Sequence, residues 1–221
     1  MRVWGHLRYE LLKCWWWFKP RALKAFDGIL PSRPKIELLG RVSYRAKIEG
    51  HHKNIHIRAG ACVREGAWLW CQDAGSSIEI GERTLIMPWS KLVAGENGSI
   101  KIGRDCTVHS FDVLYGYSGG LQIGNNVRIA VNVSVISGNH GFDDPTRNPN
   151  DQGGTSKGII IRDNVWIGAG VIIVDGVEIG EGAVLGAGAV VTKNMPPNSV
   201  CLGVPARAVR RRGEQISSTT I

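Results

Sequence analysis

The sequence lacks any run of about 18 apolar residues, so it contains no segment that could cross a bilayer as a helix. It also lacks CxxC spacing, and its 5 cysteines are odd in number and widely scattered, which argues against a disulfide framework or a zinc site. The first residues, MRVWGHLRYELL, lack the apolar stretch and the cleavage site of a secretion signal. We therefore expect free thiols and a cytoplasmic location.

Acidic residues are comparatively few, because 27 Lys and Arg face 19 Asp and Glu and leave a net charge of +8. A pI near 9.5 predicts anionic partners, of which nucleic acid, an anionic membrane surface and a phosphate-bearing small molecule are the candidates. No nucleic-acid-binding motif accompanies the charge, so we do not expect nucleic acid as a partner.

A six-residue repeat organises most of the chain. From Ile161 the sequence reads IRDNVW, IGAGVI, IVDGVE, IGEGAV, LGAGAV, and each six begins with an aliphatic residue. The same frame gives seven triplets of aliphatic lead residues: Ile36/Val42/Ile48, Ile57/Val63/Leu69, Ile80/Ile86/Leu92, Ile102/Val108/Leu114, Ile123/Ile129/Val135, Ile161/Ile167/Ile173 and Ile179/Leu185/Val191. A β-sandwich would need a period of two rather than six.

Three hexapeptides can close one triangular coil, and successive coils then lie one strand spacing apart, about 4.8 Å. The repeat thus predicts an all-β fold, a parallel β-helix of about seven triangular coils. The fifth residue of a hexapeptide should point inward near a corner, so it must be small or β-branched, as at Ala61, Ala67, Thr84, Val127, Val133, Val165, Val171, Ala183 and Ala189.

The repeat contains one long insertion. The lead residues Val135 and Ile161 lie 26 residues apart, whereas regular stacking needs a spacing of six. The intervening stretch contains SGNHGFDDPTRNPNDQGG, and long ordered loops in compact repeats are usually functional. We predict an N-terminal helical, aromatic and basic segment at 1–35, a β-helix at 36–200 with an extended loop at 137–158, and a C-terminal cap and basic tail at 201–221.

Three motifs, SGNHGFDD, GIIIRDNVWIGAGVIIVDGVEIGEGAVLGAGAVVTKNMPPNS and LGVPARAV, carry a family resemblance. From about Gly103 to Arg207 the chain resembles the hexapeptide-repeat acyltransferases, whose fold is a left-handed parallel β-helix. It looks most like the galactoside/maltose-type sugar O-acetyltransferases and the polysaccharide O-acetyltransferases. The resemblance implies acetyl-CoA as co-substrate, no metal, and a homotrimer with active sites between neighbouring prisms.

The resemblance also implies roles for individual residues. His140, in the long loop, would be the general base. Cofactor-binding positions would be Trp166, Gly168, Ala169, Ala187 and Gly188 along the thioester arm, with Lys193 and Arg207 near the nucleotide end. An asparagine that contacts acceptor in the sugar enzymes is replaced by Ser110 in the stretch HSFDV. We predict acceptor-binding roles for Ser110, Asp112, His109 and Asp143. Asp112 and Asp143 are also candidates for orienting His140.

These features predict an acetyl-CoA-dependent O-acetyltransferase acting on a sugar hydroxyl, in bacterial surface polysaccharide or lipopolysaccharide biosynthesis. The alternatives are an N-acetyltransferase of a nucleotide-linked amino sugar and a non-catalytic β-helix scaffold. His51, His52 and His56 leave open a zinc site of the kind found in carbonic anhydrases with this fold. The Trp-rich residues 1–26 suit either a peripheral contact at the inner face of the cytoplasmic membrane or a cap on the β-helix.

Overall fold

The computed structural model describes residues 34–214. The predicted amphipathic segment within residues 1–33 and the end of the basic tail, 215–221, lie outside the described residues. Within residues 34–214, no helix has the length and hydropathy needed to cross a bilayer.

The described chain forms short strands separated by tight turns. In chain order these are β1 (Lys35–Ile36), β2 (Arg41–Val42), β3 (Lys47–Gly50), β4 (Ile55–Ile57), β5 (Cys62–Val63), β6 (Trp68–Cys71), β7 (Ser77–Ile80), β8 (Leu85–Ile86), β9 (Lys91–Ala94), β10 (Ser99–Ile102), β11 (Thr107–Val108), β12 (Val113–Gly116), β13 (Leu121–Ile123), β14 (Arg128–Ile129), β15 (Ser134–Ile136), β16 (Asn139–His140), β17 (Gly154–Thr155), β18 (Ile159–Ile161), β19 (Trp166–Ile167), β20 (Ile172–Val174), β21 (Glu178–Ile179), β22 (Val184–Leu185), β23 (Val190–Val191), β24 (Ser199–Leu202) and β25 (Arg207–Arg211). Two 3-10 turns occupy His52–Asn54 and Pro149–Asp151.

Every third strand joins the same sheet, so the chain winds around a three-sided prism. Sheet A contains β1, β4, β7, β10, β13, β18 and β21; sheet B contains β2, β5, β8, β11, β14, β19, β22, β24 and β25; sheet C contains β3, β6, β9, β12, β15, β20 and β23. Within sheets A, B and C all neighbouring strands are parallel except β24 and β25, which form an antiparallel pair at the C-terminal end. The predicted fold class, a parallel β-helix of seven coils, is confirmed.

The register confirms the repeat frame residue by residue. Ile102 faces Ile123 on sheet A, Val108 faces Ile129 on sheet B, and Leu114 faces Val135 on sheet C. From the second coil onward the lead residues are buried, and so are all the fifth-place residues predicted to point inward. Side-chain size at the corners is therefore limited by the space inside the prism.

All three prism edges turn through the left-handed backbone region, and on the C–A edge this occurs at Gly50, Glu96, Asn97, Gly120, Gly158 and Gly176. The A–B edge does so at Leu39, Gly60, Arg83, Asp105, Asn126, Asn164, Gly182 and Asn198. The B–C edge does so at Gly66, Trp89, Phe111, Asn132, Gly170 and Gly188. Glycine and asparagine tolerate this conformation, whereas bulky residues rarely adopt it. Trp89 and Phe111 are thus unusual occupants of the B–C edge.

The third edge, between sheets C and A, carries the long loop. Residues 137–158 leave the prism after β15 and return at β18, as the sequence predicts. Ile161 nevertheless pairs with Ile123 in the coil before the loop, so the prism continues without a shift of register. The loop is an insertion at the corner rather than a break in the wall.

Candidate active site

His140 lies on a small hairpin within the loop. Strand β16 pairs antiparallel with β17, which places His140 opposite Gly154. The backbone N–H of Gly141 extends the pairing by donating to the carbonyl of Gly153 at 2.8 Å. Because this pairing uses the backbone, the His140 side chain is free to project, and it is exposed to solvent.

The base of the hairpin is tied to the prism. The Ser156 hydroxyl donates to the carbonyl of Ser137 and accepts from the N–H of Gly119 at 2.9 Å. The Asp175 carboxylate accepts from the N–H of Lys157 at 2.9 Å and from that of Gly158 at 2.8 Å. Both legs of the loop therefore have fixed positions, and His140 projects from a defined point on the C–A edge.

The tip of the loop is held by its own side chains. Gln152 accepts from the N–H of Asp144 at 2.9 Å and donates to the carbonyl of Arg147 at 2.9 Å. The hydroxyl and the N–H of Thr146 both donate to the Asp144 carboxylate, and this lowers the pKa of Asp144. Asp143, one of the predicted site residues, is exposed on the same loop.

The upper B–C edge, in coils five to seven, is lined by small residues. Gly168, Ala169, Ala187 and Gly188 all lie here. A Cβ added at Gly188 would meet nothing within 4 Å, so the surface above it is open. Ala187 and Gly188 are exposed, Ala169 is half-buried and Gly168 is buried, so this part of the edge, here called the glycine-rich groove, offers a ligand backbone mainly at Ala187 and Gly188.

Trp166 borders this groove on sheet B, in register between Arg128 and Val184, and its side chain is 56% exposed. Lys193 is exposed just beyond β23, and Arg207 is exposed on β25. The predicted cofactor-binding residues therefore lie on the last coils and on the C-terminal strand pair, and those at 166–188 share one edge.

The next coil down carries His109 and Ser110 on the same B–C edge. His109 is exposed and Ser110 is half-buried. Their turn is stacked on its neighbours, because the Ser90 hydroxyl donates to the carbonyl of His109 at 3.1 Å and the Ser110 carbonyl accepts from Asn132 at 3.3 Å. These two predicted acceptor residues adjoin the groove.

Asp112 does not lie on this surface, and its predicted acceptor-binding role is wrong. Its side chain is fully buried, because it occupies the inward fifth place after the lead residue Val108. Its Oδ1 accepts from the N–H of Val133 at 2.9 Å, and no described residue hydrogen-bonds to its Oδ2. Burial raises the pKa of Asp112 to about 7, although the Val133 hydrogen bond opposes the shift. Asp112 therefore joins two coils from inside the prism, and it cannot contact a solvent-borne acceptor.

We expect Asp112 to make the stability of the protein depend on pH. The pKa of its carboxyl is higher in the folded chain than its ordinary value of 3.8, so the folded state retains the proton between about pH 4 and pH 7. Stability should be greatest below this range and fall as the pH rises through 7. Asp112→Asn should remove about 2–4 kcal/mol of that fall, measured by urea unfolding at pH 5 and pH 8.

The exposed Asp143→Asn provides the matched control and should follow the wild type at both pH values. Equal loss of stability between pH 5 and pH 8 in Asp112→Asn and wild type would contradict this account of Asp112.

The predicted residues fall into two groups on different edges. His140 and Asp143 project from the C–A edge on the hairpin, whereas Ser110, His109 and the glycine-rich groove lie on the B–C edge. Sheet C separates these edges along its whole width. One chain therefore does not bring the predicted base to the predicted cofactor groove.

The outer face of sheet C carries a pair of tryptophans. Trp68 and Trp70 lie on the outer face of sheet C and stack with ring centroids 5.3 Å apart. Lys47 places its ammonium 4.8 Å from the Trp68 ring centroid. Throughout residues 34–214, no group of three or more His, Cys, Asp or Glu side chains is placed to hold a metal ion.

Two aromatic residues of the B–C edge, Trp89 and Phe111, were not among the site residues predicted from the sequence. Both are 57% exposed and adjoin His109 and Ser110 on the B–C edge. The repeat frame contained the signal, because the third residue after a lead is glycine or asparagine in most coils along this edge. An aromatic residue at that place was a departure from the pattern.

The repeat matches known proteins. Residues 158–193 match the family described as bacterial transferase hexapeptide (six repeats). Galactoside O-acetyltransferase of Escherichia coli is 38% identical over 132 residues, which cover 59% of this chain and 62% of that protein. A crystal structure of a hexapeptide-repeat-containing acetyltransferase from Vibrio cholerae is 30% identical with a TM-score of 0.55, covering 61% of this chain and 74% of the other.

A third match shows the fold alone: an N-acyltransferase from Bacillus cereus, in complex with dTDP-4-amino-4,6-dideoxyglucose and coenzyme A, is 22% identical with a TM-score of 0.55 over 78% of this chain and 81% of that one. The matched segments span 43–62% of the lengths of three curated relatives. The fold and the hexapeptide motifs define a class of transferases built on a parallel β-helix. The chain belongs to the hexapeptide-repeat transferase family.

Proposed function

We propose that the protein is an acetyl-CoA-dependent O-acetyltransferase that modifies a sugar hydroxyl. The observation that carries the proposal is the tied hairpin, which presents His140 as an exposed imidazole at a defined point of an otherwise regular wall. The unprotonated ring nitrogen of a neutral imidazole can accept a proton, which is the role of a general base.

The reaction needs a base, a bound thioester and a bound hydroxyl. His140 accepts the hydroxyl proton as the hydroxyl oxygen attacks the thioester carbonyl carbon. The tetrahedral intermediate then collapses, the carbon–sulfur bond breaks, and the proton passes to the leaving coenzyme A sulfur. The acetyl group moves directly to the sugar oxygen, and no covalent acyl-enzyme is required.

The upper B–C edge suits acetyl-CoA. Ala187 and Gly188 offer exposed backbone beside the half-buried Ala169 and the buried Gly168, and Trp166 provides an exposed aromatic side chain on the adjoining sheet. Lys193 and Arg207 are exposed cations that suit the phosphates at the nucleotide end. The net charge of +8 is consistent with anionic substrates.

We propose that the active site is completed by a second copy of the chain, within a homotrimer. Support comes from the separation of His140 on the C–A edge from the groove on the B–C edge, because a neighbouring prism can supply the missing half. The outer side of sheet C, between these edges, carries one row of apolar side chains, in which Trp70, Tyr115, Ile136 and Val174 are half-buried and Val93 is buried. Such a face suits contact with another subunit.

The alternative enzyme is an N-acetyltransferase of a nucleotide-linked amino sugar. It is favoured by the fold shared with the Bacillus cereus N-acyltransferase, whose structure contains such a sugar. A nitrogen acceptor would need the same base and the same thioester groove, so the two activities differ in the acceptor side alone. A non-catalytic scaffold is the third alternative.

The test is release of the coenzyme A thiol from acetyl-CoA in the presence of a panel of acceptors. The panel contains free hydroxyl sugars, oligosaccharides, nucleotide sugars and nucleotide-linked amino sugars. We expect turnover with hydroxyl acceptors, and mass spectrometry should find an O-acetyl group that mild alkali removes. Turnover confined to amino sugars, with an alkali-stable product, would replace the proposal by N-acetylation. No thiol release and no acetyl-CoA binding would favour the scaffold.

We also propose a place for the activity, as a step in bacterial surface polysaccharide or lipopolysaccharide synthesis on the cytoplasmic side of the membrane. It rests on the sugar O-acetyltransferases among the relatives and on the basic surface that suits anionic, lipid-linked acceptors. The predicted membrane contact through residues 1–26 remains a prediction, because those residues lie outside the described part of the chain.

A further inference from the structure

The B–C edge changes character halfway along its length. In the upper coils its left-handed corner positions are Asn132, Gly170 and Gly188, whereas the two coils below place Phe111 and Trp89 at the same position. These two aromatic residues form a ridge, here called the aromatic ridge, that continues the line of the glycine-rich groove. Ser110 and His109 lie where groove and ridge meet.

The ridge residues are held in an unfavourable backbone conformation. Trp89 has φ +65° and Phe111 has φ +66°, a region that costs a side-chain-bearing residue roughly 1–2 kcal/mol. Core burial does not offset that cost, since each side chain is 57% exposed. Strained residues that the fold does not need for packing are concentrated at ligand-binding sites.

The coil beneath makes room for the ridge. A Cβ on Gly66 would lie 2.4 Å from the Trp89 ring, so the indole lies directly over a glycine. The backbone N–H groups of Trp89 and Phe111 donate to Glu65 and Pro88, at 3.3 and 3.4 Å. Both rings are therefore carried on backbone that is fixed on both sides, with one face open to solvent.

We propose that the aromatic ridge is an extended acceptor subsite that takes a saccharide of two or more sugar rings. This inference rests on the proposed function. Flat, rigid aromatic faces stack on the apolar faces of pyranose rings at little cost in side-chain entropy. Phe111 shares the coil of Ser110 and Trp89 lies one coil below, about 4.8 Å away, so the two aromatic corners extend the site from Ser110 along the edge by about one further ring. The ring that receives the acetyl group lies at Ser110, and the rest of the glycan follows the ridge.

Asparagine is the replacement that preserves the fold. Asn132 adopts φ +60° at the same position one coil above Phe111, so Trp89→Asn and Phe111→Asn retain a residue suited to the turn. Leu39→Asn is the matched control, since Leu39 is an exposed apolar residue with φ +62° on the A–B edge. The three variants make the same kind of change at different places on the prism.

The experiment measures binding and turnover against chain length. The probes are maltose to maltohexaose and galacturonate oligomers of two to six residues. In the wild type, the longer probes should protect tryptophan fluorescence from iodide quenching and should show the higher kcat/KM. The Trp89→Asn, Phe111→Asn double variant should lose about tenfold in affinity for the longest probe that binds, while the KM for acetyl-CoA stays unchanged. Leu39→Asn should behave as the wild type.

Three results would overturn the inference. One is the same affinity for long probes in the double variant and the wild type. A second is no binding of any oligosaccharide to the wild type. The third is dissociation of the oligomer by the double variant, measured by light scattering, which would assign the ridge to a subunit contact. Protection from quenching without acetyl transfer would refute the proposed activity while leaving the ridge supported, so the two failures are distinguishable.

Discussion

Replacing His140 with alanine is expected to lower kcat by about 10²–10⁴-fold, the usual contribution of a general base. The KM for acetyl-CoA should change little, because His140 acts on the acceptor hydroxyl while other residues are proposed to bind acetyl-CoA. Folding should be preserved, since β16 pairs with β17 through backbone groups that alanine retains. The measurement is steady-state thiol release, with circular dichroism to verify the fold.

Added imidazole should restore part of the activity of His140→Ala, because a small base can occupy the space left by the side chain. His51→Ala is the matched control, an exposed histidine in an early coil that should leave kcat unchanged. Wild-type turnover in His140→Ala would refute the assigned base.

Two inactive variants should together regain activity if the site is shared between subunits. Ala187→Trp places a large side chain in the glycine-rich groove at an exposed position, so we expect it to block acetyl-CoA. Mixed in equal amounts with His140→Ala, then dissociated and reassembled, it should restore about a quarter of the wild-type activity. That fraction is expected because each interface of a closed ring draws one half-site from each neighbour.

The control is the doubly substituted chain, His140→Ala with Ala187→Trp, mixed with wild type. In this mixture both substitutions are on the same chain and the wild-type chains have both halves of the site intact. The mixture therefore tests whether dissociated chains reassemble into active oligomers. No recovery in the first mixture, with recovery in the control, would show that base and groove belong to one chain.

The strands and buried residues of the prism could be predicted from the sequence, because the repeat reflects how side chains pack inside each coil. Each lead residue and each fifth-place residue must fit a closed interior, so aliphatic spacing alone located Leu114, Ala183 and the loop at 137–158. The same rule contradicts the acceptor role given to Asp112. We assigned Asp112 to the acceptor site because of the family resemblance. As the fifth residue of its hexapeptide, however, Asp112 has a side chain that points into the prism.

The surface was less predictable, since solvent-facing positions obey no such rule. The sequence indicated Trp166 and Ser110 through resemblance, but it did not indicate that His140 and the groove would occupy different edges. The repeat frame did contain this information, because the place of a residue within its coil decides the edge on which it lies. The contacts that tie Ser156 to Gly119 and Asp175 to Gly158 depend on coils distant in sequence, so they needed the structure.

The loop at the C–A edge has a consequence for how such an enzyme can change. Ile123 and Ile161 remain paired across it, and its legs are fastened at Ser156 and Asp175, so its length does not affect the stacking of the coils. Loop-closure entropy grows slowly, by about 0.6 kcal/mol for each doubling of length. Insertions between Asp143 and Gln152 would therefore alter how far the hairpin extends toward a partner without disturbing the prism, at the cost of the hydrogen bonds that join Gln152 to Asp144 and Arg147. Specificity for larger or smaller acceptors could thus evolve in one segment, while the rest of the molecule stays unchanged.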